Sequence, residues 1–557
     1  EKTITLVNET RDEDENWFVK WDTSFIFPDL GEKDTVGIST SKPARGEILD
    51  RNGQPIAING EGEEIGVVPE KFTDAANKAK LAELLGTSVE YIDRQLNQSW
   101  VRPTDFVPIE KVAKHETALL DEAIKIGGVT YQKTPMREYP YGEALSHVSG
   151  YIGSITAKQL KKLKDKGYTE ADLVGRQGME LLLEERLRGK SGVRIYIKPP
   201  EKDATTITVA EIKNVDGETV SLTIDAELQQ KTYQAMKGEA GTSAAVDPKT
   251  GETLALVSSP GFDPSELMLG ISGDRYKELE EDPLNPLFTR FAASYAPGST
   301  LKPITAAIGM EAGTLDPTEG LTIEGETWTK EGWDNYKVTR VHAEAPNPID
   351  LNKALVYSDN IYFAREALDM GNETFVEGLK GYGFGEEIPF IYNLEASQIS
   401  NNGKIASLGG LADTSFGQGE MLTNILHLAS MYEVFITDGV MYKPTLLMED
   451  EKSQVWKEGL VSADNAAILR KSLRNVVVDG FAPAANLPSV PLAGKTGTAE
   501  LKAAGQERGK ENGFFVTYNS ENPTFILAMM IEGVEDNDGS AYVAELVSTI
   551  FAPGSGE

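Results

Sequence analysis

Hydrophobic positions change their rhythm about halfway along this chain. From residue 73 to about 122, Ala and Leu recur at three- and four-residue spacings among polar residues, which predicts helix with a break at Pro103. Before it, Trp17, Phe18, Trp21, Phe25 and Phe27 read as the last strand or two of a domain that begins upstream. Residues 42–53 read as strand, with Asn52-Gly53 as a hairpin turn. Residues 179–187 predict a helix ended by glycine, and residues 190–225 predict strands leading into a further domain. In the second half, residues 242–247 and 253–258 flank a Pro-Lys-Thr-Gly turn and predict a hairpin. Residues 514–518 and 525–531 predict a second one, with mostly helical patterns in between. Strands at both ends and helices in the middle imply one mixed sheet built from both ends of the domain, with helices packed on it.

A length of 557 residues implies two or three domains. The formal charge of -33 argues against nucleic acid as a partner and against peripheral binding to an anionic membrane. Cysteine is absent, which suits an oxidising exterior only mildly. No run of 18 apolar residues is present to span a bilayer. The chain opens at Glu1 with neither Met nor a signal-like segment, and reads as a processed or shortened form.

Candidate chemistry sits in three short strings: Ser299-Thr300-Leu301-Lys302, Ser358-Asp359-Asn360 and Lys495-Thr496-Gly497-Thr498. Each has an ordinary explanation. Ser299 opens a run, residues 304–310, that is apolar nearly all round and so predicts a buried helix, where serine is a common cap. Lys302, one turn on, would share its face inside the protein. Burial lowers a lysine pKa, which is how a lysine becomes a base for a serine hydroxyl. Ser-Asp-Asn is also a capping turn, and Lys-Thr-Gly is commonly a turn. The chain holds its own decoys: Ser39 to Lys42 has the first spacing without an apolar run, and Lys249-Thr250-Gly251 lacks the following Thr.

The conjunction is what carries weight. The three strings fall in order, 59 and then 137 residues apart, and together supply a nucleophile, a base, a proton relay and an anion clamp. They are the signature of acyl transfer through a serine ester in penicillin-recognising enzymes. The four histidines, His115, His147, His342 and His427, have no Gly-x-Ser-x-Gly elbow to serve and no zinc-binding spacing, and His427 reads as a core residue.

These residues resemble the class B penicillin-binding proteins, monofunctional D,D-transpeptidases of peptidoglycan synthesis. Residues 45–53, His147 to Gly153 and Gly178-Met179-Glu180 are similar to segments of that family's non-catalytic pedestal. Residues 17–28 and 336–340 resemble the low-affinity subgroup related to the methicillin-resistance protein. That subgroup commonly has Lys-Ser-Gly-Thr where this chain has Thr496. The resemblance implies an α+β fold: a transpeptidase domain with a central antiparallel sheet and helices, preceded by an elongated mixed pedestal. It also implies three segments, with the tail of a nuclear-transport-factor-like domain at 1–32, the pedestal at 33–225 and the transpeptidase domain at 226–557.

By the same resemblance Ser299 is the nucleophile and Lys302 the acylation base. Ser358 relays a proton to the leaving group, and Asn360 orients Lys302 and the substrate amide. Lys495 supplies positive potential for the substrate carboxylate, with Thr496 and Thr498 as donors. Asp359, Gly497, Gln418 and Tyr336 fall in the binding region, Tyr336 as a gate. Gln418-Gly419 reads equally well as a glycine-rich turn. The backbone N–H groups of Ser299 and Thr498 would form the oxyanion hole, where one donor is worth about 3 kcal/mol.

The reaction implied is attack on the penultimate D-Ala carbonyl of a stem peptide, followed by resolution of the acyl-enzyme by a neighbouring amine. β-Lactams would acylate the same serine. No metal or organic cofactor is implied. Glycosyltransferase, division or elongation partners would dock on the pedestal. The site would work on the outer face of the bacterial cytoplasmic membrane, behind an N-terminal anchor absent from this chain. Two rivals stay open. One is a class A-like β-lactamase, for which Glu386 or Glu387 would supply the deacylating carboxylate. The other is a non-enzymatic scaffold or β-lactam sensor.

Overall fold

A computed structural model describes residues 3–11, 14–113, 116–201, 203–333, 336–501 and 509–552; His115 lies outside them. The chain divides into two units, residues 1–47 with 184–219, and residues 48–183 with 220–557.

The smaller unit is β-rich. Leu6–Arg11 pairs antiparallel with Asp14–Val19, and Gly192–Lys198 lies between Thr35–Ser41 and Ile207–Ile212. Most of these strand positions are exposed.

The larger unit holds two five-stranded sheets besides several two-stranded pairs. In the first, the long strand Pro55–Val67 pairs antiparallel with Val107–Val112 and Val129–Glu138. The expected Asn52-Gly53 hairpin joins it to Ile48–Leu49. The helices Ala75–Leu84 and Val89–Leu96 were expected, but the helical reading fails at residues 107–112. There Val107 and Ile109 are buried in alternation with less buried Pro108 and Glu110, a strand rhythm that outweighs the looser Ala and Leu spacing around it. Residues 139–148 pack on the catalytic core. Both ring nitrogens of buried His147 are taken, by Thr289 Oγ1 at 3.1 Å and the Pro286 carbonyl at 3.0 Å. Gln229 donates to the Ala144 carbonyl at 2.9 Å.

The second sheet positions the site. Its strands are β1 (Gly241–Val246), β2 (Thr253–Ser259), β3 (Leu492–Leu501), β4 (Lys510–Asn519) and β5 (Ile526–Glu532), in the order β2-β1-β5-β4-β3. As expected it is assembled from both ends of the domain, but it is not mixed: every pair is antiparallel. Hairpins and a central antiparallel β1–β5 pair make that the only consistent sense. Ala245, Phe515, Leu527, Met529 and Ile531 pack one face against Val543, Leu546, Val547 and Ile550 of the helix Ser540–Phe551. The helix Ile425–Met431, buried throughout, packs against β1 and β5. Its His427 is satisfied by Ser397 Oγ at 2.7 Å and the Tyr382 carbonyl at 2.8 Å, as a core histidine should be. No helix among the described residues is long and apolar enough to cross a membrane.

Candidate active site

Ser299 lies in the short 3-10 turn Gly298–Leu301, which runs directly into the helix α1 (Lys302–Glu311). Its side chain caps nothing, so the capping explanation does not apply to it. The turn is wedged against the edge strand β3. Gly298 has φ +54°, and a Cβ there would stand 2.5 Å from the Thr498 carbonyl oxygen. A Cβ at Gly497 would stand 2.9 Å from the Thr300 nitrogen. Both positions need glycine because two backbones meet at van der Waals distance.

Lys302 is fully buried at the start of α1. Its ammonium donates to the Ser358 carbonyl at 2.7 Å, Ser358 Oγ at 3.1 Å and Asn360 Oδ1 at 2.7 Å. Those three acceptors use all three of its protons, and no bond runs to Ser299 among the described residues. Lys495 on β3 also donates to Ser358 Oγ, at 3.0 Å. The Ser358 hydroxyl therefore sits between two lysines. Burial, helped by the charge of Lys495 and opposed by Asp359, holds the Lys302 pKa well below the usual lysine value. Burial alone lowers that of Lys495 to about 7.

Ser-Asp-Asn proves to be cap and site at once. Asp359 caps the helix α2 (Asn360–Met370), accepting from the Ile361 and Tyr362 amides at 3.0 and 3.1 Å. Its other oxygen takes the Arg340 Nε–H at 2.7 Å in a fully buried ion pair. With Asp359 pointed down, Ser358 (φ +52°) and Asn360 turn to Lys302. Asn360 also donates to the Thr339 carbonyl at 2.9 Å.

Lys-Thr-Gly-Thr is a strand, not a turn. Residues 492–501 pair with β4 on one side only, so the other side is an open edge. The Thr496 carbonyl accepts from Lys495 Nζ at 3.1 Å and that of Thr498 from Gln418 Nε2 at 3.1 Å. A strand residue presents its N–H and C=O on the same side, so the Thr498 N–H also emerges on the open edge, beside the Ser299 turn. Ser299, Ser358, Asn360, Gln418, Thr496, Gly497 and Thr498 line one cleft of about 110 Å³. The buried Lys302, Lys495 and Asp359 stand behind it. Tyr336 is placed elsewhere. It donates its hydroxyl to Asp413 and lines a neighbouring pocket of about 670 Å³ with Trp333.

Among the cleft residues that the sequence reading did not assign to the site are Val341, His342 and Phe481. Arg340 was noted only as part of a similar string. All four belong to loops without periodicity, and no local signal marks them. Among the described residues no cluster of three His, Cys, Asp or Glu side chains has metal-holding geometry.

A serine shared by two buried lysines at an open sheet edge is equipment for acyl transfer without histidine, and on this fold it defines the penicillin-recognising class of active-serine enzymes. Comparison with known proteins gives the same class. Residues 241–552 match the penicillin binding protein transpeptidase domain, and residues 40–222 the penicillin-binding protein dimerisation domain. The chain belongs to the penicillin-binding protein transpeptidase family. It is 43% identical to Penicillin-binding protein 3 of Bacillus subtilis, over 99% of this chain and 82% of that protein. It is 27% identical to the peptidoglycan D,D-transpeptidase MrdA of Acinetobacter baumannii, over 94% and 82%. A solved complex between penicillin-binding protein PBP2 and MreC from Helicobacter pylori matches with a TM-score of 0.72 and 21% identity, over 93% of this chain and 98% of that one, a likeness of fold.

Proposed function

We propose that this chain is a serine-type peptidoglycan D,D-transpeptidase, with Ser299 carrying the acyl group between two stem peptides. The observation that carries the reading is the pair of buried lysines meeting on Ser358 Oγ beside the Ser299 turn. Lys302, held toward its neutral form by burial, takes the Ser299 proton as Oγ attacks the penultimate D-Ala carbonyl. Ser358 relays that proton from Lys302 to the departing D-Ala amine, which returns Lys302 to its neutral form, and Lys495 draws the substrate carboxylate. The N–H groups of Ser299 and Thr498 take the oxyanion. An amine from a neighbouring stem resolves the ester. β-Lactams acylate Ser299 by the same first step.

The low-affinity character of the methicillin-resistance subgroup belongs to this proposal. The small cleft, with Ser299 only 9% exposed, supports it. The reaction implies work on the outer face of the cytoplasmic membrane, and the pedestal is read as the platform for a glycosyltransferase or another wall-synthesis partner. The β-lactamase rival loses ground because Glu386 is engaged by Lys457 at 2.7 and 2.8 Å and neither Glu386 nor Glu387 lines the cleft. The test is product analysis with a donor peptide ending in D-Ala-D-Ala and an amine acceptor. Release of one D-Ala per amide cross-link supports the reading. Binding without turnover, alongside rescue of a deletion strain by Ser299→Ala, would favour a scaffold.

A further inference from the structure

Resolving an acyl-enzyme with an amine poses a proton problem that acylation does not. The acceptor arrives as an alkylammonium and must be neutral to attack. Behind the cleft stand two lysines, and no carboxylate lines it. Among the lining residues, His342 alone carries a side chain that titrates near neutrality.

The ring of His342 is held from three directions. It stacks on Phe481 with 3.3 Å between centroids and 1° between planes. Its Nδ1 stands 3.3 Å from Glu344 Oε1, which favours the proton on Nδ1 and leaves the Nε2 lone pair free. The loop on either side is pinned to the Ser-Asp-Asn turn. Arg340 Nε donates to Asp359 at 2.7 Å and its Nη1 to the Ala343 carbonyl at 3.3 Å, while Asn360 Nδ2 donates to the Thr339 carbonyl at 2.9 Å. The charged groups acting on the ring are Glu344, Lys495 and Lys302. Burial lowers its pKa first, Glu344 opposes, and both lysines lower it further, so the imidazole is neutral at pH 7.

We infer that His342 Nε2 accepts the proton of the incoming acceptor ammonium, the catalytic step that makes a primary amine nucleophilic in this cleft. The inference rests on the acyl-serine reading above. The amine, once neutral, forms its N–C bond to the ester carbonyl. The C–Oγ bond to Ser299 breaks, and Oγ takes from Lys302 the proton that reaches the lysine from the amine. The second amine proton passes by Ser358 to Lys302. His342 gives its proton to water past the exposed Glu344. Lys302 is unsuited to the first task, because it is fully buried behind Ser358 and Asn360, which line the cleft in its place, and it is needed for Ser299.

The experiment uses the full chain, a thioester donor ending in D-alanine, and D-alanine as acceptor. Aminolysis and hydrolysis products are counted for the wild type, His342→Gln and His342→Phe, with benzylpenicillin acylation measured on each. We expect aminolysis to fall about tenfold or more beyond any fall in acylation in both variants. The wild-type aminolysis should also decline in acid along a titration below the ordinary histidine value of 6.5, a limb missing from His342→Gln. A stacking role alone would leave His342→Phe active in aminolysis. That result, an unchanged aminolysis-to-hydrolysis ratio, or parallel losses in aminolysis and acylation would each overturn the inference. A wild type that forms no acyl-enzyme would overturn the acyl-serine reading, and this inference with it.

Discussion

The same short strings occur twice in this chain and do different things. Ser39 lies near the end of an exposed strand and Lys42 one residue past it; along a strand side chains alternate between faces, so residues three apart diverge. Ser299 and Lys302 have the same spacing on a helical turn, where residues three apart share a face, and that face is buried. Lys249-Thr250-Gly251 is a hairpin turn with its lysine in water, whereas Lys495-Thr496-Gly497 is a sheet edge whose lysine is 1% exposed. Identical letters become chemistry only where the backbone brings them together and the interior strips water from the lysine.

The largest difference should appear between the two serines. Ser299→Ala should abolish penicillin acylation, while Ser39→Ala should leave its rate unchanged, both read by labelled drug. The lysines come next. Lys495→Met should slow acylation on the order of a hundredfold. Because the folded-state pKa is lowered to about 7 from 10.5, the folded form binds fewer protons than the unfolded chain between those values. Wild-type stability should therefore decline as pH falls from 10.5 toward 7 through this group and level off below. Lys495→Met should remove that decline and raise stability at pH 7 by on the order of 1 kcal/mol or more, read by urea melts, whereas Lys249→Met should do neither.

Arg340→Ala should destabilise by about 3 to 5 kcal/mol, because it leaves Asp359 buried without its partner. It should also slow acylation by loosening Ser358 and Asn360, and denaturant melts together with acylation rates on the folded fraction separate the two effects. The pH profile of acylation should be bell-shaped. The acid limb reports Lys302 needing to lose its proton, and the alkaline limb, near 7, reports Lys495 losing the charge that draws the substrate carboxylate. Lys249→Ala should have the smallest effect, within about 0.5 kcal/mol in stability.

The legible part of the sequence was the part whose meaning is local or periodic. The apolar run after Ser299 announced a buried helix, and the hairpins of β1–β2 and β4–β5 announced the sheet. The edge strand β3 was hidden because Gly494 and Gly497 look like turn residues; here they admit close backbone approach from neighbouring segments. Arg340 could not be read because its partner, Asp359, lies 19 residues away, and nothing in the loop marks the pair. Phe481 and His342 are farther apart still, joined only by the tertiary fold. Tyr336 was drawn to the cleft by its place in a similar string, but its bond to Asp413 sets it in the neighbouring pocket.

The decisive experiment is intact-protein mass after incubation with benzylpenicillin, followed over hours for the wild type, Ser299→Ala and Ser39→Ala, with peptide mapping of any adduct. A stable adduct of one drug mass on wild type and Ser39→Ala, mapped to Ser299 and absent from Ser299→Ala, is the expected result. An adduct that persists on Ser299→Ala, or rapid drug hydrolysis with no adduct on the wild type, would contradict it.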